Sequence, residues 1–265
     1  MRAVPRPMAH REIQRPHDTT IRYTISGPDV GPTLVLVHGW ACDRRDFDAV
    51  AGFLPADYRA VAIDLAEHGE SRSSREVWTM EEFARDVAAV LKAESIETCV
   101  VVGHSLGGAV AVEVGRLLPE VVSHVVALDA LHYLFLFAAM DDEAAAALLQ
   151  PFTDDFAAAV RTMVEAGSPP GFDPALKDAY VEKMGAVRAG GKRALEGLVA
   201  WDMDQALSGV KPPITLFAVR EMVSQEAIDH LGERIAIVPV DLGSHHFHVE
   251  SPEGTARLIT GMLAN

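Results

Sequence analysis

Seven short runs rich in Val, Ile, Leu and Ala recur along the chain, and several are continuous rather than alternating. They are IRYTIS (21–26), TLVLVHG (33–39), YRAVAIDL (58–65), TCVVVGHS (98–105), HVVALDAL (124–131), PITLFAV (213–219) and RIAIVPVDL (234–242). A strand with one wet face alternates. A continuous run needs apolar cover on both faces, as in a parallel sheet flanked by helices. Helical patterns lie between the runs. TMEEFARDVAAVLKAE (79–94) repeats apolar residues at three- and four-residue steps, with Thr79 and Glu82 spaced as a capping box. LGGAVAVEVGRLLPE (106–120) is a second helix, ended by Pro119. This alternation predicts an α/β fold built on a doubly wound, mostly parallel sheet.

The alternation stops between 131 and 211. DDEAAAALLQPF, DDFAAAVRTMVEAG, ALKDAYVEKMGAVRAG and KRALEGLVAWDMDQAL all read as helices, with GSPPGFDP as a loop among them. The acids at 141–143 and 154–155 sit where helix starts place negative charge, which accounts for them without a catalytic pair. The expected organisation is a core in two parts, 1–130 and 212–265, with a helical lid at 131–211.

The chain has 265 residues and a formal net charge of −15. Such an acidic surface repels phosphate backbones and anionic lipid heads, so neither nucleic acid nor a membrane is an expected partner. No apolar run reaches the ~18 residues of a membrane span. The basic, proline-broken start MRAVPRPMAHREIQRP lacks the apolar stretch of a signal peptide. The two cysteines, Cys42 and Cys99, are too few for a disulfide framework and read as free thiols. A cytoplasmic protein with a small-molecule substrate is expected; a homodimer stays open.

Three stretches carry chemistry. Gly103-His104-Ser105-Leu106-Gly107 is a G-x-S-x-G that follows a buried strand and opens a helix, the setting a nucleophile elbow requires. LVLVHGW runs a strand into His38-Gly39-Trp40, where a backbone N–H could join that of Leu106 against a developing oxyanion. His38 is read as holding this loop by hydrogen bonds. LGSHHFHVESPE (242–253) offers His245, His246 and His248 as bases near neutral pH. A metal site made of these three is disfavoured, because adjacent residues point different ways.

Taken together, HGW, DLAEHGES (64–71), GHSLGG and the H…E-x-P-E tail resemble the α/β-hydrolase superfamily, in the family's order and over nearly the whole chain. One departure is Glu67, which stands where the family usually has Gly. The resemblance implies that the tail histidine is followed by Glu five on and Pro seven on. His245 satisfies both, through Glu250 and Pro252, and His246 does not. The family's usual acid lies in a G-x-x-D turn after the seventh strand, but that turn reads FAVREMVSQ, with Glu221 its one carboxylate. A subset carries the acid after the preceding strand, where Asp129 stands; the alternative for Asp129 is a helix N-cap. The resemblance therefore implies a triad of Ser105, His245 and Asp129 with an oxyanion hole of the Trp40 and Leu106 amides. His38 and His104 in the adjoining motifs are candidate substrate contacts, and composition alone adds His132 and Tyr133, which stand with Phe135 and Phe137 at the entrance of the helical segment. No cofactor or metal is implied.

A serine carboxylesterase acting on a small apolar or aromatic ester is the expected activity. Serine rather than aspartate at the elbow argues against haloalkane dehalogenase and epoxide hydrolase chemistry. Two alternatives remain: a cofactor-free dioxygenase of a hydroxyquinolone-type ring, which the acid after the sixth strand and the missing seventh-strand Asp also resemble, and a non-catalytic ligand receptor on the same fold.

Overall fold

The computed structural model describes residues 6–137 and 140–263. The first five residues of the basic N-terminus, and the two alanines closing the HYLFLFAA stretch, lie outside them. Eight strands form one sheet: β1 (Met8–Arg15), β2 (Thr19–Ser26), β3 (Thr33–Val37), β4 (Arg59–Ile63), β5 (Cys99–His104), β6 (Val122–Leu128), β7 (Ile214–Val219) and β8 (Ala236–Val240), in the order β1-β2-β4-β3-β5-β6-β7-β8. The β1–β2 and β2–β4 pairs are antiparallel and all the others parallel.

Helices cover both faces. They are α1 (Asp48–Phe53), α2 (Met80–Ala93), α3 (Leu106–Leu117), α4 (Asp142–Asp154), α5 (Phe156–Ala166), α6 (Pro174–Gly185), α7 (Ala189–Val199), α8 (Met203–Gly209), α9 (Gln225–Leu231), α10 (Phe247–Glu250) and α11 (Pro252–Leu263). Val35 and Val37 of β3 join the core beneath α2 and α3, whereas Leu34 and Leu36 join a second core beneath α1 and α11. Both halves of the run are therefore buried, which is why it does not alternate. In α2 the Thr79 hydroxyl accepts the Glu82 N–H, but the Glu82 carboxylate turns to Arg85, so only half of the capping box forms.

Strand β1 had no counterpart in the sequence reading. Its residues are mostly exposed and carry no apolar stripe; it exists through pairing with β2 from Met8↔Ser26 to Arg15↔Thr19. A charged, exposed edge strand resists pairing with another chain.

Helices α4–α8 lie between β6 and β7. The stretch KRALEGLVAWDMDQAL divides at 200–202, where the Asp202 carboxylate accepts the Gln205 N–H and starts α8. Polar contacts tie this layer to the core, among them the following. Trp40 Nε1 donates to the Gly191 carbonyl at 2.8 Å, Trp201 Nε1 donates to Glu113 at 2.8 Å, and the Lys183 ammonium pairs with Asp43 and Asp46. Gly197 of α7 rests against the Trp78 backbone, and a Cβ there would run into the Trp78 carbonyl oxygen. Gly197→Ala should therefore cost about 1–3 kcal/mol through overpacking. A thermal melt should show Tm lowered by about 5 °C; an unchanged melt would contradict the close approach.

Candidate active site

Ser105 sits at the turn between β5 and α3 with φ 53° and ψ −123°, a conformation an L-residue adopts only under constraint. Its neighbours make room for it. A Cβ at Gly103 would collide with the Gly107 carbonyl, and one at Gly107 would press on the carbonyls ending β3. The Ser105 N–H is anchored to the Leu128 carbonyl at 3.1 Å. Leu106 opens α3, so its amide belongs to the first turn, whose N–H groups have no intrahelical partner. On the facing side, Gly39 to Cys42 form a tight turn closed by the Cys42 N–H on the Gly39 carbonyl, with Ala41 at φ 58°. That closure uses the Cys42 amide and leaves the Trp40 amide outside it.

His245 stands on the loop after β8. Glu250, five residues on, organises that loop: its carboxylate accepts the Ser244 N–H at 2.7 Å, the Ser244 hydroxyl at 2.5 Å and the Tyr180 hydroxyl at 3.0 Å. Gly243, at φ 127°, leaves the space Glu250 occupies. This is the physical content of the His-to-Glu spacing. The His245 N–H donates to the Gly167 carbonyl after α5 at 2.8 Å, and its carbonyl accepts from His104 Nε2 at 2.9 Å. Its Nδ1–H donates to Asp129 Oδ2 at 2.6 Å.

Asp129 follows β6 at φ 43° and is fully buried. Its Oδ1 accepts the Val219 N–H at 2.8 Å. Burial works to raise its pKa, but the hydrogen bond and charge of His245, with the Val219 amide, hold it below the ordinary carboxylate range. Glu221 lies exposed in the turn after β7. The carboxylate that meets His245 is Asp129.

Ser105, His245, His104, Trp40, Leu106 and Tyr133 all line one cavity of about 260 Å³. Leu131, Phe135, Met163, Leu195 and Met222 supply apolar wall, and no Asp, Glu, Lys or Arg is among the described lining residues. Two candidate substrate contacts, His38 and His132, do not line it; His38 instead holds its loop by hydrogen bonds, the other role read for it from the sequence. His38 is wholly buried; its Nδ1–H donates to the Gly39 carbonyl and its Nε2 accepts the Leu65 N–H, bridging the loops after β3 and β4. Burial pushes its pKa down to about 4, which suits a neutral bracket. His132 donates Nδ1–H to the Ala130 carbonyl, and its ring lies against that of Tyr133 at a tilt of 31°. His246 reaches the cavity, and its ring meets Tyr180 edge-on. His248 packs beneath, between Phe47 and His104.

The ring nitrogens of His104, His245 and His246 come within 4.8 Å of one another, a grouping that could ligate a metal ion. Two of those rings already hold hydrogen bonds, His245 to Asp129 and His104 to the His245 carbonyl. Cys42 and Cys99 are buried free thiols; burial pushes Cys99 up to about 12 and Cys42 well above its usual value, so neither suits a thiolate nucleophile.

Sequence reasoning missed Tyr180, Gly167 and the three cavity methionines Met163, Met184 and Met222. The periodicity of α5 and α7 marks a buried face but not which of its residues border a cavity rather than packed core. Glu67 also becomes intelligible. It adopts φ 63°, the conformation that favours Gly, while its carboxylate accepts the Ser73 N–H at 2.9 Å and pairs with Arg188 at 3.4 Å. Glu250→Gln should loosen the His245 loop by replacing an acceptor with a donor facing Ser244. We expect Tm to fall by a few degrees and His245-dependent rates by about tenfold; wild-type values in both would show that the loop does not depend on this carboxylate.

Residues 34–258 match the model of the alpha/beta hydrolase family. A serine hydrolase-like protein of Danio rerio is 35% identical over 116 residues, which is 43% of this chain and 36% of that protein. The alignments with the curated relatives span less than half of the relatives' own length. An esterase from Rhodococcus sp. ECU1013 superposes with a TM-score of 0.75 at 25% identity, covering 97% of this chain and 98% of that one. An esterase from Exiguobacterium antarcticum gives a TM-score of 0.80 at 17% identity, covering 96% and 99%. Among the described residues no helix is long and apolar enough to cross a membrane.

Proposed function

Because the chain belongs to the alpha/beta hydrolase family, we propose that it is a serine esterase that cleaves small, uncharged, apolar or aromatic carboxylic esters through an acyl-enzyme. One observation carries this reading: the buried Asp129–His245 pair opens onto the same cavity as a serine held in the elbow conformation. In the proposed reaction His245 Nε2 takes the Ser105 Oγ proton as Oγ attacks the ester carbonyl. The oxyanion meets the amides of Leu106 and Trp40. His245 then gives the proton to the leaving alcohol, and water repeats the sequence to release the acid. Asp129 keeps the Nδ1–H tautomer and stabilises the imidazolium.

The substrate class rests on the walls. With no Asp, Glu, Lys or Arg among its described lining residues, the cavity favours an uncharged substrate, and its Met, Leu and Phe lining favours apolar groups. The helical layer at 131–211 is proposed to act as a lid that keeps this cavity dry. The esterase superpositions at high coverage support the reading.

A panel of p-nitrophenyl esters with a serine-directed phosphonate tests it. Ser105→Ala should abolish turnover and labelling with an unchanged melting curve; retained turnover would sink the serine mechanism. Oxygen uptake on a hydroxyquinolone without phosphonate labelling would replace esterase with ring-opening dioxygenase chemistry, for which a His–Asp pair facing an apolar cavity also suffices. His245→Ala should cost far more than His246→Ala, and the reverse ranking would move the base by one residue. Asp129→Asn should lower kcat by at least roughly 10², by analogy with serine triads. Glu221→Gln should stay within a few-fold of wild type, and a larger loss at Glu221 than at Asp129 would overturn the acid.

A further inference from the structure

Asp129 Oδ2 lies within hydrogen-bond distance of two donors. His245 Nδ1 is 2.6 Å away and the Tyr133 hydroxyl 3.1 Å. The same hydroxyl lies 2.8 Å from His245 Nδ1. The three polar atoms close a triangle in which each touches the other two. Tyr133 immediately precedes the short 3-10 turn Leu134–Leu136, and its ring is wedged by the His132 ring at 4.3 Å on one side and meets His245 edge-on at 5.9 Å. Burial, then the charge of Asp129 and the bond to it, push the phenol pKa well above its usual value. The hydroxyl therefore stays protonated, and toward the carboxylate it acts as a donor.

We propose that Tyr133 is a positioning residue for the Asp129–His245 pair, beyond its place in the cavity wall: its hydroxyl holds the carboxylate and the imidazole in register and shares the carboxylate's charge. The kinetic consequence rests on the esterase reading; the hydrogen-bond triangle does not. A carboxylate oxygen that accepts two hydrogen bonds is a weaker acceptor for either one. Tyr133 thus tempers the pull of Asp129 on Nδ1–H while preventing the carboxylate from swinging away. Without the hydroxyl, Oδ2 keeps a single donor, and its full charge bears on the imidazolium.

The other titratable groups around the pair are identifiable. His132 Nε2 lies 3.8 Å from Asp129 Oδ1, and the rings of His104 and His246 lie 4.6 Å and 5.1 Å from that of His245. Burial pushes the pKa of all three histidines down from its usual value. They are unchanged in a Tyr133→Phe variant, which keeps the ring and removes one oxygen.

The test compares Tyr133→Phe with wild type in three measurements: kcat and KM across pH, the downfield proton NMR resonance of the His245 Nδ1–H, and phosphonate labelling of Ser105. The expected result is a fall of about tenfold in kcat with KM within about threefold. The acid side of the kcat/KM profile should change, because the carboxylate that orients the base has lost a donor. The Nδ1 proton resonance should also shift. In an Asp129→Asn background the same substitution should add little, since its target is gone. A raised KM with an unmoved acid limb and an unmoved resonance would overturn the proposal and leave Tyr133 as wall alone. Additive losses in the double variant would overturn it as well. Failure of the esterase reading is separately visible as wild-type protein that phosphonate does not label. The NMR comparison still decides the role of Tyr133 in that case.

Discussion

The hydrogen bond between Asp129 and His245 joins residues far apart in the chain, and the rest of the site is arranged around it. A carboxylate with no exposure to water is costly unless donors satisfy it. Here the Val219 amide, the His245 imidazole and the Tyr133 hydroxyl all meet it. The sheet makes this possible. Strands β5, β6, β7 and β8 lie side by side and parallel, so the residues following β5, β6 and β8 emerge at one edge. Ser105, Asp129 and His245 are those residues, which accords with the rule that open α/β sheets place sites beyond the carboxyl ends of their strands.

The helical layer contributes to the site as well as covering it. The backbone of His245 is held from two sides, by Gly167 of the layer and by His104 of the elbow. Tyr180 of α6 reaches the same Glu250 that shapes the His245 loop. On the other flank the Trp40 ring is tied to Gly191. The histidine loop and the turn carrying Trp40 are thus both anchored to this layer.

Backbone strain is concentrated at the same edge. Ser105, Asp129 and Leu131 have positive φ, as do Ala41 and Glu67 in the loops that face them. Each is a non-glycine residue in a conformation that costs of order 1–3 kcal/mol, and such residues persist where the surroundings over-determine them. At Glu67 the compensation is visible in the bonds its carboxylate makes to Ser73 and Arg188.

Much of this was legible in the sequence. Continuous apolar runs reported two-sided burial, because burial is a local property that residue type records directly. The G-x-S-x-G turn reported a sharp strand–helix junction because only glycine tolerates the close backbone approach at 103 and 107. The interval from His245 to Glu250 was readable because it describes one loop folding onto its own side chain. Only the tertiary structure decided that Asp129 and not Glu221 meets His245, since that depends on strand order and on the register that brings the Val219 amide to the carboxylate. It alone decided that His38 and His132 stand behind the cavity wall, that Tyr133 reaches into the Asp129–His245 pair, and that the unpatterned segment 8–15 becomes an edge strand. The contacts of Asp129 and Tyr133 with His245 are meetings of residues distant in the chain, 116 and 112 residues apart, whereas β1 forms by local pairing with the next strand that its sequence does not advertise. Local periodicity specifies which face of an element is buried; which residue is met there is decided by how the elements pack.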